Sequence, residues 1–254
     1  MTASTLRTAL DADTPIKAGW LTLPEPMLAA TMVAAGFEAL VLDLQHGMIT
    51  PKDAIAIIDA IIGAGGHAVA RVPVGSFEMA SRLLDWGAEA VIAPMIETAE
   101  EARIFAGFAK YPPLGTRSWG PVRPLRHGTA EAYRLAANDQ TLALAMIETR
   151  AALDNLDEIL AVPGIDGVYV GPSDLSIALS GGDSLDVDRA DNVAAIELVA
   201  RRARAASKVA AIYGGSPAHV RRYRALGYDF VNVSQDVALL AGAVRKALAE
   251  SADA

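Results

Sequence analysis

Short runs of apolar and β-branched residues alternate with longer segments of helical period along the whole chain, and this alternation constrains the fold more than any other feature. Eight runs read as strands: Ile16–Leu21, Ala39–Leu44, Ala68–Val72, Ala90–Pro94, Leu142–Ile147, Gly167–Val170, Val209–Ile212 and Phe230–Val233. Eight segments read as the helices that follow them: Glu25–Ala35, Pro51–Ala64, Phe77–Trp86, Ala99–Lys110, Leu153–Ala161, Asn192–Ser207, Ala218–Leu226 and Val237–Ala249. Thr50-Pro51-Lys52-Asp53 has the form of an N-cap with proline in the first turn, and Ser216-Pro217 repeats it. Gly36, Gly63, Gly87 and Gly227 each sit between a helix and a strand, where a left-handed residue stops a helix. Eight β-α units in 254 residues match a closed parallel barrel, whereas an open doubly wound sheet usually has fewer strands. The expected fold class is α/β, a single (β/α)8 TIM barrel. No linker or low-complexity segment breaks the pattern, so residues 1–254 are expected to form one domain.

Composition narrows the function. At 52% hydrophobic and 20% charged residues, a chain of this length builds a core without staples. The absence of cysteine removes thiol nucleophiles and thiolate metal sites, so any metal must sit on oxygen or imidazole. With 22 Lys+Arg against 30 Asp+Glu, and no basic stripe interleaved with aromatics, neither nucleic acid nor an anionic membrane is an expected partner. The longest apolar stretches, such as Ala54–Ala64 with Asp59 inside, fall short of the ~20 residues of a membrane span. Met1 to Asp13 lacks the pattern of a secretory signal, which leaves the cytoplasm as the expected location.

In such a barrel the chemistry belongs at the C-terminal strand ends. Two insertions, about Tyr111 to Arg126 and about Ser176 to Ala190, are expected to help build the mouth. Glu148, after the fifth strand, and Asp174, after the sixth, bring two carboxylates to neighbouring positions; they suit a hard cation such as Mg2+ or Mn2+, or else salt bridges to barrel arginines. Gly171-Pro172-Ser173-Asp174 is a tight turn whose backbone N–H groups suit a substrate carboxylate, although the same tetrapeptide also occurs for conformational reasons alone. His46 lies beyond an Asp-bearing strand end, with Gly47 behind it to admit a ligand, and suits a general base. Arg71 ends an apolar run and is placed to stabilise a developing oxyanion. None of Lys17, Lys52, Lys110, Lys208 and Lys246 falls at a strand's C-terminal end, so imine chemistry is not expected.

The strings Gly19-Trp20, Leu42-Asp43-Leu44-Gln45-His46, Ala70-Arg71-Val72-Pro73, Leu84-Asp85-Trp86-Gly87-Ala88, Tyr111-Pro112-Pro113-Leu114-Gly115-Thr116-Arg117, Met146-Ile147-Glu148-Thr149 and Gly171-Pro172-Ser173-Asp174-Leu175-Ser176, in this order, resemble the HpcH/HpaI family of metal-dependent (class II) pyruvate aldolases. The resemblance implies a divalent cation, Mg2+, Mn2+ or Co2+, held by Glu148 and Asp174, with a pyruvate or hydroxypyruvate donor and an aldehyde as substrates. It further implies that His46 acts as the base at C3, directly or through a metal-bound water. On the same resemblance Arg71 would stabilise the enolate, Gly171, Pro172 and Ser173 would hold the donor carboxylate, and Trp20 would shape the pocket. Asp85 is carried over as the group that raises the basicity of His46; at the end of the third predicted helix it belongs near the opposite barrel face, so such a contact needs a shifted helix boundary or a neighbouring subunit. Gln45 departs from the glutamate common in relatives. The Arg117–Arg126 segment resembles one that lines a neighbouring subunit's pocket, and a homohexamer is implied. Alternatives are a citrate-lyase-like acyl-CoA lyase and a non-catalytic barrel that binds a 2-oxo acid.

Overall fold

In the computed structural model, which describes residues 5–11 and 15–252, eight parallel strands close into a barrel in sequence order. They are β1 Ile16–Leu21, β2 Ala39–Asp43, β3 His67–Arg71, β4 Ala90–Ala93, β5 Leu142–Ile147, β6 Gly167–Val170, β7 Val209–Tyr213 and β8 Phe230–Gln235. Around them run α1 Leu6–Leu10, α2 Pro26–Ala34, α3 Pro51–Gly63, α4 Glu78–Asp85, α5 Ala99–Ala109, α6 Ala130–Gln140, α7 Arg150–Asp154, α8 Leu156–Leu160, α9 Pro172–Ser180, α10 Ala190–Ala205, α11 Pro217–Leu226 and α12 Asp236–Ala252. All eight expected strands are present, and the expected closed (β/α)8 architecture is the one observed.

The period-two rule explains both apolar layers. Ile16, Ala18 and Trp20 of β1, Val41 of β2, Leu142, Leu144 and Met146 of β5, and Tyr169 of β6 fill the barrel interior. Their alternates, among them Leu21, Leu42, Ala143, Ala145 and Val168, face outward under the helices. Leu6 of α1 joins the interior cluster, and its N–H donates to Glu89 Oε2 at 2.6 Å, so this short helix plugs the N-terminal end of the barrel. Among the described residues no helix is long and apolar enough to cross a membrane.

The helix inventory differs from expectation in informative ways. The expected helix Leu153–Ala161 is two short helices joined at Asn155. Helix α6 was not expected because it buries only Ala137 and so lacks an apolar face, although Thr129 caps it. Gly63 closes α3 within the helix, and the left-handed residue is Gly65, two positions later. The 111–126 segment follows α5, not a strand; Val122 and Arg123 N–H groups bond the Asp85 carbonyl at the end of α4, which places the segment at the barrel end away from the mouth. The side chains of Arg126 and His127 lie outside what the structure describes. The second insertion does lie at the mouth: Asp188 meets His219 and Arg222 at the start of α11.

The cap at Thr50 is a reciprocal box: Thr50 Oγ1 accepts from the Asp53 N–H at 3.4 Å, and Asp53 Oδ2 accepts from the Thr50 N–H at 2.9 Å. Thr50→Ala is expected to lower unfolding free energy by about 1 kcal/mol in a urea titration, without moving the strands.

Candidate active site

The same alternation that fills the barrel carries its polar residues to the mouth. Asp43 follows Val41 in phase on β2, Arg71 follows Val69 on β3, and Glu148 follows Met146 just beyond β5, so all three project inward at the C-terminal ends. A cavity of about 350 Å³ opens there, lined by Trp20, His46, Arg71, Asp174, Tyr213 and Gln235 among others.

Asp43 organises the β2–β3 side. Its strand register pairs it directly with Arg71. The carboxylate accepts from Arg71 Nε at 2.9 Å and Nη2 at 2.6 Å, a bidentate pair with Asp43 2% and Arg71 6% exposed. Trp20 Nε1 donates to it at 3.2 Å, and the N–H groups of Gln45 and His46 at 3.0 and 3.2 Å. Burial pushes the Asp43 carboxyl up, but Arg71 and the backbone N–H groups of His46 and Gln45 outweigh it and hold it below the ordinary range. The Arg71 guanidinium also stacks over the Trp20 ring, 4.7 Å from its centroid. His46 stands exposed at the cavity rim, its main chain anchored by Asp43. Gly47 is needed for chain packing: a Cβ there would lie 2.4 Å from the Asp43 carbonyl oxygen.

Glu148 organises the opposite side. It is 2% exposed, and among the described residues it has no ion-pair partner; Oε1 accepts one hydrogen bond, from Met95 N–H at 2.8 Å. Met95 adopts φ 55°, a left-handed conformation rare for a non-glycine residue, which aims that N–H. At Gly171 a Cβ would lie 2.5 Å from Glu148 Oε2, so glycine is needed for the carboxylate to fit. Burial pushes Glu148 up to about 7; the charge of Asp174 adds to the rise, while Met95 N–H and Arg71 oppose it. Asp174 lies exposed in the first turn of α9. Among the described residues no group of three or more histidines and acids is gathered to hold a metal. Two carboxylates, one buried without a counter-charge and one at the mouth, nevertheless fit a hard cation that completes its shell with substrate and water oxygens.

Gly171 and Pro172 are buried and Ser173 is exposed to the cavity. Pro172 opens α9 and has no N–H, so anion-binding donors at this turn come from Ser173 and Asp174. Asp85 is not brought to His46 within the chain. It ends α4 at the far end of the barrel and accepts from Arg117 Nη2 at 2.7 Å; Arg117 is itself buried and stacked 4.5 Å over Tyr111. Burial raises Asp85 despite this partner. The alternative for the two acids, a salt bridge from a barrel arginine to Glu148 or Asp174, does not form among the described residues; Arg71 pairs with Asp43. Lys110, at the end of α5, is buried, and its Nζ donates to Asn138 and Thr141 carbonyls and pairs with Asp166, away from the cavity.

A sequence profile described as HpcH/HpaI aldolase/citrate lyase matches residues 18–243. A hydroxypyruvate/pyruvate aldolase of Rhizorhabdus wittichii is 40% identical over 97% of this chain and 98% of its own length. A 2-keto-3-deoxy-L-rhamnonate aldolase of Klebsiella pneumoniae is 37% identical over 91% of this chain and 86% of its own. The crystal structure of a family protein from Burkholderia cenocepacia superposes with a TM-score of 0.89 at 32% identity, covering 97% of this chain and 98% of that one. With carboxylates, arginine and histidine gathered at the strand ends where this fold does its chemistry, the chain is an enzyme, a carbon–carbon lyase belonging to the HpcH/HpaI aldolase/citrate lyase family.

Proposed function

We propose that the protein is a metal-dependent aldolase that reversibly joins a 2-oxo acid donor, pyruvate or hydroxypyruvate, to an aldehyde through the donor enolate. The observation that carries this reading is the buried Glu148 carboxylate, which has no ion-pair partner among the described residues and stands near Asp174 beside a cavity that also holds Arg71 and His46. The donors named for the relatives point the same way.

Glu148 and Asp174 would hold Mg2+, Mn2+ or Co2+. When bound, such a cation withdraws electron density from the donor's keto group and acidifies C3. His46 removes the C3 proton on the way to the enolate, and during cleavage it returns a proton to that carbon. Arg71, fixed in direction by Asp43 and Trp20, offsets the negative charge that grows on the donor's keto oxygen and then on the aldehyde oxygen. The N–H groups of Ser173 and Asp174 hold the donor carboxylate, with Gly171 and Pro172 setting the turn and Trp20 closing the wall. Asp85 acts on His46 of a neighbouring subunit in a homohexamer, which accounts for its distance from His46 within one chain. The enzyme works in the cytoplasm.

Treatment with EDTA is expected to lower carbon–carbon bond formation between hydroxypyruvate and acetaldehyde at least 100-fold, with Mn2+ restoring it, followed by NMR of the product. Undiminished turnover in the chelated protein would overturn the reading.

A further inference from the structure

The pairing of β1 with β8 slips by one residue: Ala18 pairs with Asn232, but Gly19 pairs with Ser234 and Trp20 with Gln235. Val233 is the extra residue, a bulge in β8. Phe230 belongs to the barrel interior, and Asn232 accepts there from the Tyr169 hydroxyl at 2.5 Å. Strict alternation from these two would turn Ser234 inward and Gln235 outward under the helices. The bulge reverses this, giving Gln235 the phase of Trp20 and setting it in the cavity wall.

On this side of the cavity the other polar groups are already engaged. Thr22 donates its hydroxyl to Asp236 at 2.7 Å, and Trp20 donates to Asp43. The Gln235 amide and the hydroxyl of Tyr213, which packs edge-on to Trp20 at 5.6 Å, make no hydrogen bond among the described residues. Burial pushes the Tyr213 phenol up, so it remains a donor. An amide both donates and accepts, as does a phenol, and neither carries charge. No cation lines the cavity from β7, β8 or β1. The arginine that lines the cavity, Arg71 of β3, is already paired with Asp43, so a carboxylate or phosphate beside Gln235 and Tyr213 would compete for an engaged counter-charge, and a methyl group would make no hydrogen bond with either group. An alcohol satisfies both.

We infer that Gln235, assisted by Tyr213, is a specificity-determining contact for a hydroxyl on the substrate's carbon chain: either the C3 hydroxyl of the donor or the hydroxyl beside the carbonyl of a 2-hydroxyaldehyde acceptor. This rests on the aldolase reading above. A site built to pair a hydroxyl discriminates strongly against the analogue that lacks it, because the protein groups are then left unsatisfied.

The test compares two preference ratios in kcat/KM for the Mn2+-supplemented full chain: hydroxypyruvate over pyruvate with acetaldehyde, and glycolaldehyde over acetaldehyde with pyruvate. Gln235→Met, close in shape but unable to exchange hydrogen bonds in the same way, is expected to lower one ratio about tenfold or more. Tyr213→Phe is expected to lower the same ratio by a smaller factor. The ratio that falls identifies the source of the hydroxyl. Both ratios staying within twofold of wild type in an active enzyme would overturn the inference while leaving the aldolase reading intact. A wild-type protein that neither turns over any pair nor exchanges donor C3 protons would overturn the aldolase reading, and the inference with it.

Discussion

Asp43→Leu is expected to lower unfolding free energy by about 3–5 kcal/mol and turnover by about 100-fold. The substitution leaves the Arg71 guanidinium buried without its carboxylate and orphans the donors of Trp20, Gln45 and His46. Removing one member of a buried, hydrogen-bonded ion pair typically has a cost of this size, since the survivor keeps its desolvation penalty. The melting temperature should fall by roughly 6–20 °C. Turnover falls because Arg71 loses its direction, and small misplacements of a catalytic group are costly. The double variant Asp43→Leu/Arg71→Met should recover most of the stability and none of the activity. Equal melting temperatures for the single and double variants would show that the unpaired guanidinium is not the source of the loss. Acid should weaken the same pair: Asp43 titrates lower folded than unfolded, so its contribution is present above the ordinary carboxylate pKa and is lost as pH falls through the lowered folded value.

Glu148→Gln should produce the opposite combination, a more stable metal-free protein without turnover. In the metal-free fold the Glu148 carboxyl is pushed up to about 7 from its ordinary 4.5. A carboxyl raised on folding binds more protons folded than unfolded, so its effect on stability is most favourable below pH 4.5 and declines as pH rises through about 7. By pH 8 the penalty amounts to about 3 kcal/mol. Glutamine keeps an acceptor for the Met95 N–H and carries no charge, so the variant should unfold at higher denaturant than metal-free wild type at pH 8 and at nearly the same denaturant at pH 4.5. Adding Mn2+ at 100 times its dissociation constant should stabilise wild type by about 2.7 kcal/mol and leave Glu148→Gln unmoved. Equal stabilisation of both proteins would remove Glu148 from the cation site.

Glu148 and Arg71 are visible in the sequence because a polar residue that ends an apolar strand has few places to go in a closed barrel, and Asp174 because the turn that carries it follows β6 directly at the mouth. Asp43 is just as central, yet its role depends on lateral register, in which β2 and β3 align so that their final residues are partners. The two apolar runs can be recognised without knowing that alignment. Gln235 is harder still. The expected strand stops at Val233, and only the slipped pairing turns the next two residues so that the amide enters the cavity. Met95 shows as a plain apolar residue because its contribution is a backbone N–H in a left-handed conformation, which side-chain identity does not encode. The 111–126 segment is expected at the mouth when it is taken to follow a strand end, but it follows helix α5 and precedes α6, and whatever joins the end of a barrel helix to the next strand starts on the other barrel end.

Exchange of the C3 protons of pyruvate for deuterium, followed by NMR in the EDTA-stripped protein with and without Mn2+, tests most directly whether this site makes an enolate. Exchange should require Mn2+, be lost in Glu148→Gln, and be strongly reduced in His46→Ala. Exchange that proceeds without a divalent cation, or that Glu148→Gln retains at the wild-type rate, would contradict a metal-dependent enolate at this site.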